Sequence, residues 1–492
     1  MMLLILSLVM PLVTVAVIVA AGRLPNVRDA LHVVGASLTF AATCLLSRSV
    51  FAGNEIRWDV YQWLPGVAIE MRPEPLGMIF ALVASGLWIL TTIYAIGYMR
   101  GHHEDHQTRF FACFPAAIFA ALSAAHAGNL ITLFAAYEFM TLTTYPLVTH
   151  HGDASARRGG RVYLGVLISS SIALFLLAIA WTAGVAQTTD FRLGGILSAP
   201  HRSGLLSDTE LMVLLALFVF GIGKAALMPM HRWLPAAMVA PTPVSALLHA
   251  VAVVKVGVFS VLKISTHTFG IDLLSSTGVS TPLMYLAGLT ILTASIIAMQ
   301  QDNLKRRLAY STISQLAYIT LGAMLATSAG AIGGGMHIVM HAVAKITLFF
   351  CAGAIMVAHH KTDISTMRGL GRRMPLTFLA FGVATISIIG IPPGGGAWSK
   401  WFLAVATVQT DHLLLTAVLM VSSLLNIAYL LPVAILGFAS VPDSEPSHQS
   451  FAEAPWLCVV PLCITAIGSV VLFVCAEPIY DVLASMYSES PS

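Results

Sequence analysis

Charge is scarce in this chain. Only 10% of its 492 residues are Asp, Glu, Lys or Arg, and 58% are apolar, whereas a soluble domain carries about 25% charge. The shortage excludes a water-soluble fold. Long polar stretches are missing too: the longest are Ser47–Pro75, Gln187–Thr209 and Val441–Pro455. No room remains for a soluble domain, so any redox or nucleotide chemistry belongs to a partner, and nothing addresses nucleic acid. The six cysteines, Cys44, Cys113, Cys351, Cys458, Cys463 and Cys475, form no C-x-x-C pair. Most lie in apolar segments, where cysteine acts as a small hydrophobe, which argues against a cluster or zinc site. The first 21 residues lack a basic leader and a small-residue cleavage site, so they read as a retained helix. No cofactor and no metal is expected.

Apolar runs are abundant. A spanning helix needs about 20 residues, and fourteen segments qualify, near 2–21, 29–47, 76–99, 110–126, 128–149, 161–185, 210–230, 241–264, 281–299, 308–328, 331–358, 375–404, 411–438 and 455–480. The expected fold is an all-α integral membrane protein with about 14 transmembrane helices. Of the 25 Lys and Arg, fifteen fall in odd-numbered loops, six in even-numbered loops (Lys263 among them) and four inside helices. Excess Lys and Arg marks the cytoplasmic side, so both termini are expected outside, in a bacterial inner membrane.

Two helices are interrupted. The seventh runs through Gly221, Gly223 and Lys224 into Pro229 and Pro235; the twelfth runs into Pro392, Pro393, Gly394, Gly395 and Gly396 before Lys400. Proline removes a backbone donor, and such breaks survive in lipid only where protein or water satisfies the freed groups. Matching interrupted helices mark repeat-built transporters. The breaks lie five helices apart, which predicts two five-helix repeats, helices 4–8 (residues 110–264) and 9–13 (281–438). An odd helix count per repeat makes them inverted. Residues 1–109 form three preceding helices, and 455–492 a last helix and tail.

Ionisable residues in mid-span are rare and costly, at about 2.5–3.5 kcal/mol for a lysine or acid on insertion scales. Glu138, Lys224, Lys255, Lys345 and Lys400 occupy such positions. Glu138 needs a cation to remain charged, and Lys224 or Lys255 is the expected partner. One acid cannot neutralise four lysines, which favours proton exchange over static pairing. His249 precedes Lys255 by six residues, a gap that does not stack two groups on one helical face, so helix eight must unwind locally if both serve one path. His337, His341 and Lys345, spaced i, i+4, i+8, share one stripe about 6 Å apart per step. Histidine titrates near neutrality, so this stripe reads as a proton relay bridging to Lys400. The loop histidines His102, His103, His106, His150, His151, His359 and His360 read as solvated rather than as a collecting antenna. No cluster of oxygen ligands is visible, so protons rather than sodium are expected to pass here.

The segments Gly223-Lys224-Ala225-Ala226-Leu227-Met228-Pro229-Met230-His231-Arg232-Trp233-Leu234-Pro235, Ala240-Pro241-Thr242-Pro243-Val244-Ser245-Ala246-Leu247-Leu248-His249-Ala250, Ala309-Tyr310-Ser311-Thr312-Ile313-Ser314-Gln315 and Gly390-Ile391-Pro392-Pro393 resemble the antiporter-like family. That family includes the large subunits of Mrp-type sodium/proton antiporters, the antiporter-like subunits of respiratory complex I, and relatives in membrane-bound hydrogenases. The resemblance implies fourteen helices, two inverted repeats and broken helices seven and twelve. It implies proton-transfer roles for Glu138, Lys224, Lys255, His249, His337, His341, Lys345 and Lys400, and other membrane subunits as partners. Length and lysine pattern resemble the Mrp D-type subunit. The expected function is the proton-conducting subunit of a multisubunit Na+/proton antiporter; the alternative is a proton-pumping subunit of a complex I-like or hydrogenase-like oxidoreductase. A structural scaffold with degenerate ionisable residues is a third reading. The sequence departs from many relatives at Ala236 and Met238, where Asp and His are common, and at Gly394-Gly395-Gly396-Ala397, which replaces a bulkier run.

Overall fold

Among the described residues of the computed structural model, nine helices are long and apolar enough to cross a membrane. The structure describes residues 1–64, 67–440 and 451–488, with side chains at all of these except 63, 64, 67, 248, 249 and 488. The nine are Met2–Ala20, Pro25–Phe51, Pro75–Gly101, Gln107–Ala125, Ala154–Ala186, Thr281–Met299, Ser328–His359, Leu413–Phe438 and Trp456–Val474. The other five expected spans are helical but polar or interrupted. The fifth, Leu130–Val148, carries Glu138, and the tenth, Leu304–Met324, carries Ser311, Gln315 and Tyr318. The seventh, eighth and twelfth are broken. Polar side chains lower the hydropathy of the fifth and tenth, and the interruptions leave no helix of the seventh, eighth or twelfth long enough to span alone.

The seventh span is helical over Asp208–Gly221, then breaks through a short turn at Gly223–Ala225. Ala226 adopts a left-handed conformation at φ 55°, and helix resumes only as Trp233–Ala236. The twelfth runs over Pro375–Ile389, turns at Gly390 with φ 89°, and resumes as a full helix, Gly396–Gln409. The glycine run has a packing cause. A Cβ on Gly394 would lie 2.5 Å from Ser387 Cα, and one on Gly396 would lie 2.0 Å from Ser387 O. The returning strand of the break presses directly on the helix it left.

The eighth span is helix over Thr242–Ala246, a wider π turn over Leu247–Val251, and helix again over Val253–Ile264. The local unwinding therefore falls between His249 and Lys255. The side chain of His249 lies outside the described residues.

Three features depart from expectation. The polar stretch after the second span forms a β-hairpin, Trp58–Leu64 against Val67–Met71, pairing Trp58 with Met71 and Asp59 with Glu70. The fold is thus helical with one small hairpin, because the alternation of apolar and polar residues there suits strands. Beyond the last span a separate helix, Glu477–Ser488, folds back under the bundle. Lys263 is not a loop residue: it lies in the eighth span and is fully buried. It is the last residue but one of the expected 241–264 span, so the expected boundary holds and only its count as a loop residue is wrong. The expected stretch 441–450 lies outside the described residues.

Small residues bring the helices together, as in most membrane bundles. A Cβ on Gly77 would fall 2.1 Å from Ala125 O, and one on Gly322 would fall 2.6 Å from Gly330 O.

Candidate functional site

The break in the seventh span delivers Lys224 to the fifth. Its Nζ donates to Tyr137 O at 2.9 Å and Thr141 Oγ1 at 2.6 Å, and sits 3.1 Å from the Tyr137 ring centroid. Its backbone N–H donates to Tyr137 Oη at 3.0 Å. Glu138 does not pair with it. Among the described residues no lysine or arginine comes within ion-pair distance of Glu138, and its buried Oε1 has no hydrogen-bond partner. Glu138 is one residue, about 100° of helix, past Tyr137, so while Tyr137 faces the break Glu138 turns toward the perimeter, beside exposed Phe139 and Leu142. The expected Glu138–Lys224–Lys255 triad is therefore open.

The second half is joined by direct contacts. Lys255 Nζ lies 2.6 Å from His341 Nδ1. The His341 and His337 rings stack at 5.8 Å, and His337 stacks on Tyr318 at 5.6 Å. His337 Nδ1 is 2.8 Å from Ser399 Oγ and its Nε2 3.1 Å from Gln315 Oε1. Ser399 Oγ also donates to Gly396 O at 3.1 Å. A hydroxyl has one proton, so Ser399 serves either His337 or the carbonyl, and the choice follows the protonation of His337. Lys400, next in sequence, donates to Ile389 O at 3.1 Å and Ser423 Oγ at 3.3 Å, with its Nζ 4.7 Å from the Tyr318 ring. Ile389 O is a carbonyl that the break leaves without a helical partner. Lys255, His341, His337, Tyr318 and Lys400 thus form one buried file.

Lys345 shares the stripe but leaves it. Its Nζ donates to Ser311 Oγ at 2.8 Å, and Ser311 also receives the Tyr429 hydroxyl at 3.0 Å. Tyr429 in turn bonds Asn426, and its carbonyl accepts from Arg307 at 3.0 Å. This branch runs from the file toward the face with the arginine-rich loops.

Residues that sequence reasoning did not single out complete the site: Tyr137, Thr141, Gln315, Tyr318, Ser399, Ser311 and Tyr429. One signal was available. Ser311, Gln315 and Tyr318 recur at i, i+4, i+7 on a helix buried on every side, and a fully buried helix gives its polar residues to a neighbour. Tyr318 is testable alone. Its ring separates Lys400 from His337, and a desolvated cation–π contact contributes about 2 kcal/mol. Tyr318→Leu is expected to lower the thermal unfolding midpoint in detergent, and Tyr318→Phe to lower it less, because the phenyl ring still faces Lys400 while only the hydroxyl's contacts with Leu419 O, Ser422 and Ser423 are lost.

The loop histidines divide. His103, His106 and His360 are exposed, as the solvated reading expects. His102, His150 and His151 instead converge on Glu104, at 3.1, 3.8 and 3.5 Å. His102, His151 and Glu104 line a cavity of about 190 Å³ shared with Lys305 and Thr242. Burial, with His151, Arg109 and His106 nearby, pushes His150 down to about 4. No group of three or more His, Cys, Asp or Glu suited to a metal occurs among the described residues.

A many-span helical bundle with two interrupted helices and a continuous buried file of basic side chains defines a polytopic membrane protein of transporter architecture. The comparisons make that specific. The chain belongs to the family described as NADH:quinone oxidoreductase/Mrp antiporter, transmembrane, whose profile matches residues 127–426. It is 31% identical over 446 residues to NADH-quinone oxidoreductase subunit N of Desulforudis audaxviator (strain MP104C), covering 87% of this chain and 86% of that one. It is 32% identical over 383 residues to a probable K(+)/H(+) antiporter protein of Rhizobium meliloti (strain 1021), covering 76% of this chain but 37% of the relative. The fold matches a chain of the Mrp complex from Dietzia sp. DQ12-45-1b with TM-score 0.86 and 20% identity, over 99% of this chain and 97% of that one. A chain of an archaeal membrane-bound sulfane sulfur reductase matches with the same TM-score and 23% identity, over 98% and 97%.

Proposed function

We propose that this chain is the proton-conducting subunit of a multisubunit monovalent cation/proton antiporter, of the Mrp D type, assembled with other membrane subunits. The observation that carries this reading is the unbroken contact file from Lys255 through His341, His337 and Tyr318 to Lys400. The Lys255–His341 contact passes a proton directly, the stacked rings and the amine over Tyr318 couple the remaining members through charge, and each protonation changes the charge felt by the next group. Glu138, at the perimeter with a free oxygen, takes its cation from a neighbouring subunit. The two five-span units, 110–264 and 281–438, serve as inverted halves joined at the His341–Lys255 contact. The hairpin face lies outside and the arginine-rich loops inside, in a bacterial inner membrane. Protons pass through this subunit, and the Na+ route belongs to a partner.

A second reading is favoured by a specific finding: the subunit N relative is matched over nearly its whole length. In that case a redox arm drives the same file. Everted vesicles containing the complete complex separate the two. Cation-dependent proton movement without an electron donor is the expected result, and a strict requirement for a donor selects the second reading. Lys400→Ala is expected to cut the movement by about tenfold or more, below the usual span for a positioned proton-transfer group because the other members remain. Unchanged transport in an assembled Lys400→Ala complex sinks both.

A further inference from the structure

The eighth span does not end its chemistry at Lys255. Phe259 and Lys263 follow at i+4 and i+8, so all three share a face, with Lys263 about 12 Å further along the axis. All three are fully buried. Lys263 Nζ lies 3.2 Å from Glu74 Oε2 and donates to Ala127 O at 2.8 Å, over the Phe191 ring at 4.6 Å. The same Glu74 oxygen meets His267 Nε2 at 3.1 Å, and its other oxygen meets Arg72 at 3.1 Å. Glu74, His267 and Arg72 line a cavity of about 920 Å³ on the hairpin face, together with Arg192, Asp272 and Met486. One carboxylate therefore touches an amine carried on the same helical face as Lys255 and an imidazole on the wall of an open cavity.

Beside it His126 is fully buried with neither ring nitrogen partnered. Phe259 packs on Phe80 at 5.2 Å, filling the stretch between Lys255 and Lys263. An ion pair that merely held helices together would need neither the second base nor the opening. The surrounding charges are Arg57, Asp59, Glu70 and Arg72 from the hairpin and its exit, Asp190 and Arg192 from the loop after the sixth span, and Asp272 beyond the eighth. Burial works to raise the Glu74 carboxyl, but Lys263, His267 and Arg72 together outweigh it and hold it below the ordinary carboxylate range. The carboxylate thus stays ionised and holds two bases against one oxygen.

We propose that Glu74, Lys263 and His267 form the proton-exchange site of this subunit on the hairpin face, connecting the buried file to the cavity at the end of the eighth span. The step is a proton shift alone. The Lys263 ammonium gives up a proton to His267 across the Glu74 oxygen that both touch, the carboxylate being ionised before and after, and the imidazolium releases a proton to water in the cavity. Only Lys263 is then short of a proton, and the next one from the file restores it. Phe259 and Phe80 stand between the file and the site as a gate. The inference rests on the proposed proton-conducting role.

The test uses the complete complex in sealed vesicles of both orientations. His267→Gln keeps a donor for Glu74 but cannot titrate. It is expected to lower proton flux about tenfold and to abolish the dependence of flux on pH at the hairpin face, leaving the dependence at the opposite face intact. Asp272→Cys, made with Cys475→Ser, probes the cavity without touching the cluster. A bulky, cationic, membrane-impermeant thiol reagent is expected to block flux from the hairpin face and not from the other. Lys255→Met is the reference. If it is inactive while His267→Gln and the labelled Asp272→Cys keep normal flux and normal pH profiles, the exchange site is overturned and the proton-conducting role stands. If Lys255→Met conducts normally, the role itself falls. Should His267→Gln fail to assemble, the labelled Asp272→Cys decides alone.

Discussion

With Lys255 replaced by methionine, gradient-driven transport is expected to fall by about a hundredfold or more, the lower range for deleting a positioned proton-transfer group. Assembly is expected to survive. Lys255 is fully buried, and its one hydrogen bond among the described residues is with His341 Nδ1 at 2.6 Å. Methionine has similar length and volume and brings no charge into the core. His341 Nδ1 loses this partner, at a cost of about 1–3 kcal/mol, which is offset by no longer burying a lysine amine. His341 keeps its stack on His337, so the neighbouring geometry holds. Loss of transport with an equal or higher unfolding temperature separates a conducting residue from a packing one. Arg306→Met, on an exposed helical turn, is the control and should change neither quantity. Lys345→Met is expected to fall between the two, because Lys345 bonds Ser311 on a side branch rather than the next member of the file. A Lys255→Met complex that assembles and transports normally would remove the file from the mechanism.

Much of this was legible in residue types alone. Mid-span lysines are so costly that each one announces an internal position, and all four expected lysines are buried. The breaks were legible because proline and glycine act on the backbone directly. Partners were less so. Glu138 was expected beside a lysine, yet adjacent helical positions diverge by about 100°, and Tyr137 took the place facing Lys224. Ser and Thr contacts were hidden for another reason. In a membrane helix a hydroxyl usually bonds the carbonyl one turn back, as Thr144 does with Met140 O at 2.6 Å. Nothing local marks Thr141 or Ser399 as reaching across to another helix. Glu74 and Lys263 escaped notice because they fall at the ends of spans, and a buried ion pair there looks like two loop charges.

Gly257→Val is expected to damage folding and transport together. A Cβ at Gly257 would lie 2.3 Å from Ala225 N and 2.4 Å from Lys224 C, both backbone atoms. The eighth span is seated against the interruption of the seventh at this point, two residues beyond Lys255. No rotamer change relieves such a contact, so the helix or the break must move. Overpacking of this kind costs about 1–3 kcal/mol, and occasionally more. The displaced element carries Lys224, whose contacts with Tyr137 O and Thr141 would open. Gly165→Ala is the opposite case. Nothing lies within 4 Å of a Cβ there, and replacing a helical glycine by alanine gains about 0.5–1 kcal/mol. Thermal unfolding of the purified protein should therefore shift down for Gly257→Val and level or up for Gly165→Ala. Transport should disappear in the first and persist in the second. Equal unfolding and equal transport in the two variants would mean that the seventh and eighth spans do not meet at Gly257, and the placement of Lys224 would have to be abandoned with that contact.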